Sequence, residues 1–317
     1  MSHAKGTDAE VMELVRRFGK AETARRLGVH IRNLNNRCRN LELKYHQQII
    51  PPHGNATLES PIYKAAPPLH LDIKNGTVFI GSDAHIWPGP QTTAIRGFIK
   101  LIKEMKPKAV IMNGDVMDFP RISRHPPIGW ARTPTVEEEI EAAIDQMHEI
   151  ATVAGRVPKI WPLGNHDSRF ETKLHSFAPE FAGVHGTSLS DHFPLWDKCW
   201  ACEINDDVVV KHRFKGGQHA THSNVLWSGK TMITGHLHNA KVTPFNDYNQ
   251  YTRYGVDTGC LADVRSRAFV DYTESNPLNW RSGFCILTFK NGRLLQPELV
   301  LVWDDNHVEF RGAVIKV

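Results

Sequence analysis

The chain has 317 residues, 41% of them apolar and 23% charged, with a formal net charge of +4. That length holds one large domain or a large one plus a small one, and the mild basic excess permits an anionic partner without requiring one. No run of about 18 apolar residues is present to span a bilayer, the polar start MSHAKGTDAE lacks a signal-peptide core, and five cysteines, an odd number, do not suit a secreted disulfide framework; the expectation is a cytoplasmic protein without a membrane partner.

Residues 1–48 read as a small all-α domain. Thr7 and Glu10 make a capping box, Val11, Met12, Leu14, Val15 and Phe18 follow at helical spacing, and Gly19 stops the run. Ala21, Ala24 and Leu27 give a second short helix ending at Gly28. After the turn Gly28-Val29-His30, Ile31, Leu34, Cys38 and Leu41 line one face of a third, whose other face is rich in Arg and Asn. Two helices joined by a tight Gly turn, the second with such a face, form the pattern of a helix-turn-helix. The side chains Arg32, Asn35, Asn36 and Arg39 suit paired hydrogen bonds to bases and contacts to phosphates, so DNA or another nucleic acid is the expected partner. The alternative is a solvated helical hairpin that assembles a homo-oligomer.

Residues 49–75 carry two Pro-Pro pairs and several turn formers and read as a linker. From residue 76 to 317 short apolar runs alternate with amphipathic ones, an α/β pattern. TVFIGS, KAVIMN and PKIWPL are expected strands, separated by helices over QTTAIRGFIKLIKEM and TVEEEIEAAIDQMHEIATVAG. Later, strands flank the turns Asn205-Asp206 and Asn291-Gly292, the latter a strong hairpin signal between FCILTFK and RLLQPELVLVW. A sheet packed on a second sheet with helices outside is the predicted layout.

Polar clusters end the expected strands. They are Asp83 and His85, then Asp115 and Asp118, then Asn165, His166 and Asp167, then His212, then His236 and His238. In open α/β sheets ligands bind beyond the carboxyl ends of strands, so these clusters should converge. Carboxylates, an amide oxygen and imidazoles, without thiolates, suit Mn²⁺, Fe, Zn²⁺ or Mg²⁺. Asp167 is expected to cap the helix SRFETKLHSF rather than touch metal.

The succession D-x-H, G-D-x-x-D, G-N-H-D, a strand-borne His and G-H-x-H resembles the calcineurin-like metallophosphoesterases, over about residues 77 to 262. The resemblance implies a β-sandwich flanked by helices and two divalent ions, manganese first, with iron, zinc, magnesium or nickel as alternatives. By resemblance Asp83, His85, Asp115 and His238 hold one ion, and Asp115, Asn165, His212 and His236 the other. His166 is then the general acid for the leaving oxygen and Asp118 its orienting carboxylate. Arg213 follows His212 where the family usually has Gly, so that ligand rests on its position at a strand end.

Phe119-Pro120 after the second motif, and GNHD rather than GNHE, depart from protein phosphatases, and GNHD is similar to the phosphodiesterase and nuclease branches. Arg121, Arg124, His125 and Trp130 in the stretch that follows suit a phosphate and a base. With the helix-turn-helix in front, the arrangement resembles phage-encoded metallophosphoesterases, acting in the host cytoplasm. The expected activity is that of a phosphodiesterase or nuclease on DNA or nucleotides. Two alternatives are a phosphomonoesterase on nucleotides or small phosphates and a non-catalytic DNA-binding regulator. Cys199 and Cys202 have metal spacing but no second pair, and His219 and His222 are expected to open a helix beside the phosphate or line the crevice without ligating.

Overall fold

Thr7 opens the first helix as its sequence dictates, in a computed structural model that describes residues 6–47, 49, 67–125, 132–248, 251–266, 269, 273 and 278–317. Its hydroxyl accepts from Glu10 N at 3.2 Å while the Glu10 carboxylate accepts from Thr7 N at 2.6 Å. Helix α1 spans Asp8–Leu27, but Gly19, at φ 74° and ψ 166°, breaks its helical geometry. A residue with a side chain resists that conformation, so the expected stop becomes a sharp break within one element. Gly28, at φ 60°, ends α1, and α2 follows over Ile31–Tyr45 with His30 Nδ1 accepting from Arg32 N at 3.2 Å. Leu34, Cys38 and Leu41 are buried against Val11, Met12, Val15 and Ala24. Ile31, expected on the same face, is exposed at the first position of α2.

The chain divides into the units Met1–Pro67 and Pro68–Val317. Residue 48, the last of the expected small domain, and residues 50–66 of the expected linker lie outside the described residues. Its last part is a strand instead, β1 at Leu69–Leu71, because Leu71 and Ile73 have a core to enter. No helix among the described residues is long and apolar enough to cross a membrane.

After β1, four strands of the second unit pair in parallel in chain order: β2 (Gly76–Gly81), β3 (Ala109–Met112), β4 (Lys159–Pro162) and β5 (Asp197–Cys199). Helices α3 (Thr93–Met105) and α4 (Val136–Ala154) make the first two crossovers, and α5 (Arg169–Phe177) and α6 (Leu189–His192) lie in the third. Then come β6 (Cys202–Ile204), β7 (Val208–Val210), α7 (Ala220–Ser228), β8 (Thr231–Thr234), β9 (Lys241–Phe245) and β10 (Arg253–Asp257). The chain ends with β11 (Gly283–Lys290), β12 (Arg293–Leu294), β13 (Glu298–Asp304), β14 (His307–Phe310) and β15 (Ala313–Lys316). One sheet has the order β1-β6-β7-β8-β10-β9, the other β15-β14-β13-β11-β2-β3-β4-β5 with β12 on β11.

Alternation along the strands puts the sheets face to face. Val78 and Ile80 of β2, Ala109 and Ile111 of β3, and Cys285 and Leu287 of β11 share one core with Cys202, Val208, Val210, Ile233 and Val256 of the other sheet. Their neighbours Phe79, Val110, Met112, Phe284 and Ile286 point the other way and meet Ile95, Phe98 and Ile102 of α3 and Met147 and Ile150 of α4. Period two on a strand and a helical stripe above it are enough to set these layers. The predicted sandwich with helices outside is the observed one. One expected strand is divided: RLLQPELVLVW pairs with β11 as β12 and β13, interrupted where Pro297 has no N–H to give the ladder.

Candidate metal centre

Every strand-end cluster singled out in the sequence follows a strand that runs parallel to its neighbour. Asp83, Asp115 and Asn165 come after β2, β3 and β4, while His212 and His236 come after β7 and β8, which are also parallel. The loops are laced together beyond the ladders. Asp83 N donates to Gly114 O at 2.9 Å, His85 N to Asp115 O at 3.1 Å, and Gly235 N to His212 O at 2.9 Å. Two groups result that could each hold a metal ion, Asp83 with His85 and His238, and Asp115 with His212 and His236. They adjoin, since His212 Nε2 lies 3.1 Å from Asp115 Oδ2 and 4.0 Å from Asp83 Oδ1.

The donors fit a cation. Asp83 and Asp115 are buried, and among the described residues neither has a Lys or Arg in ion-pair distance. Leaving a carboxylate buried without compensation costs several kcal/mol, roughly. Buried atoms without a hydrogen-bond partner include His85 Nε2, Asn165 Oδ1, His212 Nε2 and His238 Nδ1. His212 Nδ1 donates to Asn113 O at 2.8 Å, which leaves its Nε2 with a lone pair facing the Asp115 carboxylate. Lone pair against carboxylate is a repulsive arrangement that a proton or a metal ion converts to an attractive one. Burial works against charge on His212, yet Asp115 and Asp83 push its imidazole up to about 10. Burial likewise opposes the Asp83 charge, and His238 and His212 hold that carboxyl well below the usual range.

Five of these residues, Asp83, His85, Asp115, His236 and His238, have positive φ, between 41° and 71°. Asp and His tolerate this region better than most residues, but each still costs on the order of 1 kcal/mol. Such strain gathered at one place is a mark of a working site.

Neighbouring glycines make room for it. A Cβ at Gly164 would overlap the Asp115 carboxylate and backbone, and one at Gly235 would overlap Asp83 and Ser82. Gly164→Ala is therefore expected to lower stability by about 1–3 kcal/mol and to weaken metal binding, as thermal unfolding and titration calorimetry would read. Unchanged values for both would show that the loop relaxes and that the close approach is dispensable.

Asp167 does not cap the following helix. It is fully buried and accepts from Asp115 N at 2.9 Å, Val116 N at 2.9 Å, Gly164 N at 2.8 Å and Trp161 Nε1 at 3.0 Å. Backbone N–H groups of the loop after β3 and the Trp161 indole are within its reach, and they take up both of its oxygens. Helix α5 begins after Ser168 without a side-chain cap.

His166 and Asp118 meet as expected, with His166 Nδ1 2.6 Å from Asp118 Oδ1. Nδ1–H donates there, so Nε2 faces the centre, 3.8 Å from Asp115 Oδ2. Burial opposes charge on His166, but Asp118 and Asp115 outweigh it and raise its pKa. His166 N also donates to Asp115 Oδ1 at 2.8 Å. Asp118 lies 3.5 Å from His85 as well and forms a group with both imidazoles.

Three neighbours were missed in the sequence. Arg169 Nη1 donates to Asp118 O at 2.6 Å and its Nη2 lies 3.1 Å from His166 Nε2. Glu139 of α4, whose carboxyl burial pushes up to about 8, accepts from Asp118 N at 3.2 Å and Phe119 N at 2.9 Å. Asp257 ends β10 as the other acids end their strands, and that position was the available signal. It accepts from Asn239 N and Gly259 N, and burial pushes it up to about 7.

Of the expected phosphate ligands, Arg121 donates twice to Thr133 O, at 2.9 and 3.2 Å, and Arg124 Nε lies 3.4 Å from His125 Nε2. Trp130 lies outside the described residues. On α2, Arg32, Asn35, Asn36 and Arg39 are exposed, while Arg37 donates to Gly6 O at 2.7 Å.

No family model matches the chain. It is 24% identical over 245 residues to the Gene 54 protein of Mycobacterium phage L5, covering 70% of this chain and 92% of that protein. The Gene 54 protein of Mycobacterium phage D29 is 24% identical over 254 residues, with the same coverage. Among solved structures, the nuclease MPE of Pseudomonas putida aligns with a TM-score of 0.34 and 12% identity, over 69% of this chain and 86% of that one. A dimetal phosphatase from Danio rerio aligns with a TM-score of 0.33 and 10% identity, over 72% and 96%. The chain is thus similar in sequence to phage proteins.

Proposed function

We propose that this chain is a two-metal phosphodiesterase acting on nucleic acid. The observation that carries the metal half is the pair of adjoining carboxylate and imidazole groups with buried, unpartnered donor atoms. Asp83, His85, Asp115 and His238 would hold one ion, and Asp115, Asn165, His212 and His236 the other. Divalent cations there, manganese first among them, supply an acidified water and positive charge against the phosphoryl group.

The chain's own part is to place and move protons. Asp118 keeps His166 in the orientation that points Nε2 at the centre, and an imidazolium in that place delivers its Nε2 proton to the leaving oxygen. Arg169 donates to that nitrogen at 3.1 Å in the absence of substrate, and its turning to a phosphate oxygen would free Nε2 to carry the proton. The nucleic-acid half rests on the exposed Arg32, Asn35, Asn36 and Arg39 of α2, whose types suit bases and phosphates in a groove.

The test is a substrate panel with manganese-loaded protein. Hydrolysis of bis(p-nitrophenyl) phosphate and of DNA, faster than that of p-nitrophenyl phosphate, is expected. Turnover of monoesters alone would refute the diesterase reading, and an absence of metal-dependent turnover would favour a regulator.

A further inference from the structure

Residues 208–246 contain no Asp or Glu, but hold Lys211, Arg213, Lys215, Lys230 and Lys241 and five histidines. The stretch starts in the metal centre at His212 and leaves it directly over the surface. Arg213, Phe214 and Lys215 are exposed, and so are His219, just before α7, and His222, Leu226 and Trp227 within it.

The aromatic exposure is large. Phe214 is 42% exposed and Trp227 69%, where burial of either ring would ordinarily be favourable by about 1.5–3 kcal/mol. One ammonium serves both rings: Lys215 Nζ lies 5.0 Å from the Phe214 centroid and 4.7 Å from that of Trp227. The loop is built rather than loose, since Lys215 N donates to Asn224 Oδ1 of α7 at 2.9 Å. Lys230 is neutralised by Glu203 at 3.0 Å, whereas Arg213 and Lys215 have no carboxylate in ion-pair distance among the described residues.

A nucleic-acid strand alternates anionic and planar groups, and this face alternates cationic and planar ones in the order Arg213, Phe214, Lys215, with Trp227 across the ammonium. Rings can stack only on bases whose faces are free, which a duplex withholds. We infer that this face is a track for single-stranded nucleic acid leading to the metal centre. Phe214 and Trp227 stack on neighbouring bases, and Lys215 and Arg213 hold the phosphates beside them. The inference rests on the nucleic-acid reading proposed above.

The test uses the full, manganese-loaded chain and the double variant Phe214→Ala, Trp227→Ala. For a short oligo(dT), KM is expected to rise about 10- to 100-fold, with bis(p-nitrophenyl) phosphate turnover within about twofold of the parent protein. Trp227→Phe alone should keep most of the affinity, and a bromodeoxyuridine-substituted strand should cross-link within residues 213–227. An unchanged KM for oligo(dT), with the model diester still hydrolysed, overturns the track while leaving the diesterase intact. Cross-links confined to residues 6–47 overturn it too. So does a double variant that converts a dimer to a monomer without loss of affinity, which assigns the face to a second copy. If the parent protein hydrolyses the model diester but no nucleic acid, the proposed substrate class fails first, and the track with it.

Discussion

Asp115→Asn is expected to lower metal-dependent hydrolysis by about 10³-fold or more, several kcal/mol of lost charge stabilisation. Asp115 is the carboxylate proposed to serve both ions; it groups with His212 and His236, its Oδ2 faces His212 at 3.1 Å and its Oδ1 accepts from His166 N at 2.8 Å. An amide keeps the shape and still accepts from His166 N, so the loop should hold. What it removes is one negative charge in a buried place where His212 and Asp83 are its neighbours. Without metal, the variant should unfold at a lower temperature than the parent protein, because the Asp115 carboxylate and the His212 imidazole favour each other's charged forms and the amide leaves His212 without that partner. With metal, it should lose the stabilisation that binding contributes to the parent protein. Thermal scans with and without manganese, bound-metal analysis and turnover give three separate readings. Two equivalents of metal and full turnover in the variant would remove Asp115 from the role proposed for it.

His166→Ala is expected to separate substrates by their leaving groups. A general acid contributes about 10²- to 10⁴-fold where the leaving oxygen is a poor one, as in DNA. With p-nitrophenolate, which leaves without a proton, the loss should be much smaller. The geometry asks for this, since Nδ1 is committed to Asp118 at 2.6 Å and Nε2 faces the centre. Asp118→Asn should give a weaker version of the same split, about 10- to 100-fold on DNA. Equal losses on both substrates would mean that His166 acts on binding or on the metals, and not on the leaving oxygen.

Much of this site is legible in the chain because each expected donor ends a strand. Short apolar runs mark the strands, and a polar residue where such a run stops marks a place at a strand's carboxyl end. Asp83, Asp115, Asn165, His212 and His236 are all found that way. Asp167 was read as a helix cap because an acid before a helix usually is one; its real partners, Asp115 N and Val116 N, are about fifty residues distant in sequence. Arg169 and Glu139 sit within helical patterns in which an Arg or a Glu is ordinarily solvated, and no local feature distinguishes them. The lower boundary of the second unit lies at residue 68 and not 76 for a related reason. Leu69–Leu71 is too short to stand as a strand alone and exists by pairing with β6.

Local chemistry, then, was set by the sequence itself: the capping box at Thr7, the break at Gly19, the alternating strands, and the acid or imidazole at each strand's end. These depend on neighbours three or four residues away, or on the two faces of one strand, so the chain carries them without its fold. Tertiary structure decided what depends on distant partners. It decided that two parallel runs of strands in facing sheets bring their ends together. It made Asp167 a bracket for the Asp115 loop, and it placed Arg169 against His166. It also left Phe214 and Trp227 on the surface around one ammonium. The physical reason is that burial and pairing are properties of the assembled sheets, and a residue's charge, tautomer and exposure follow from what the fold sets against it.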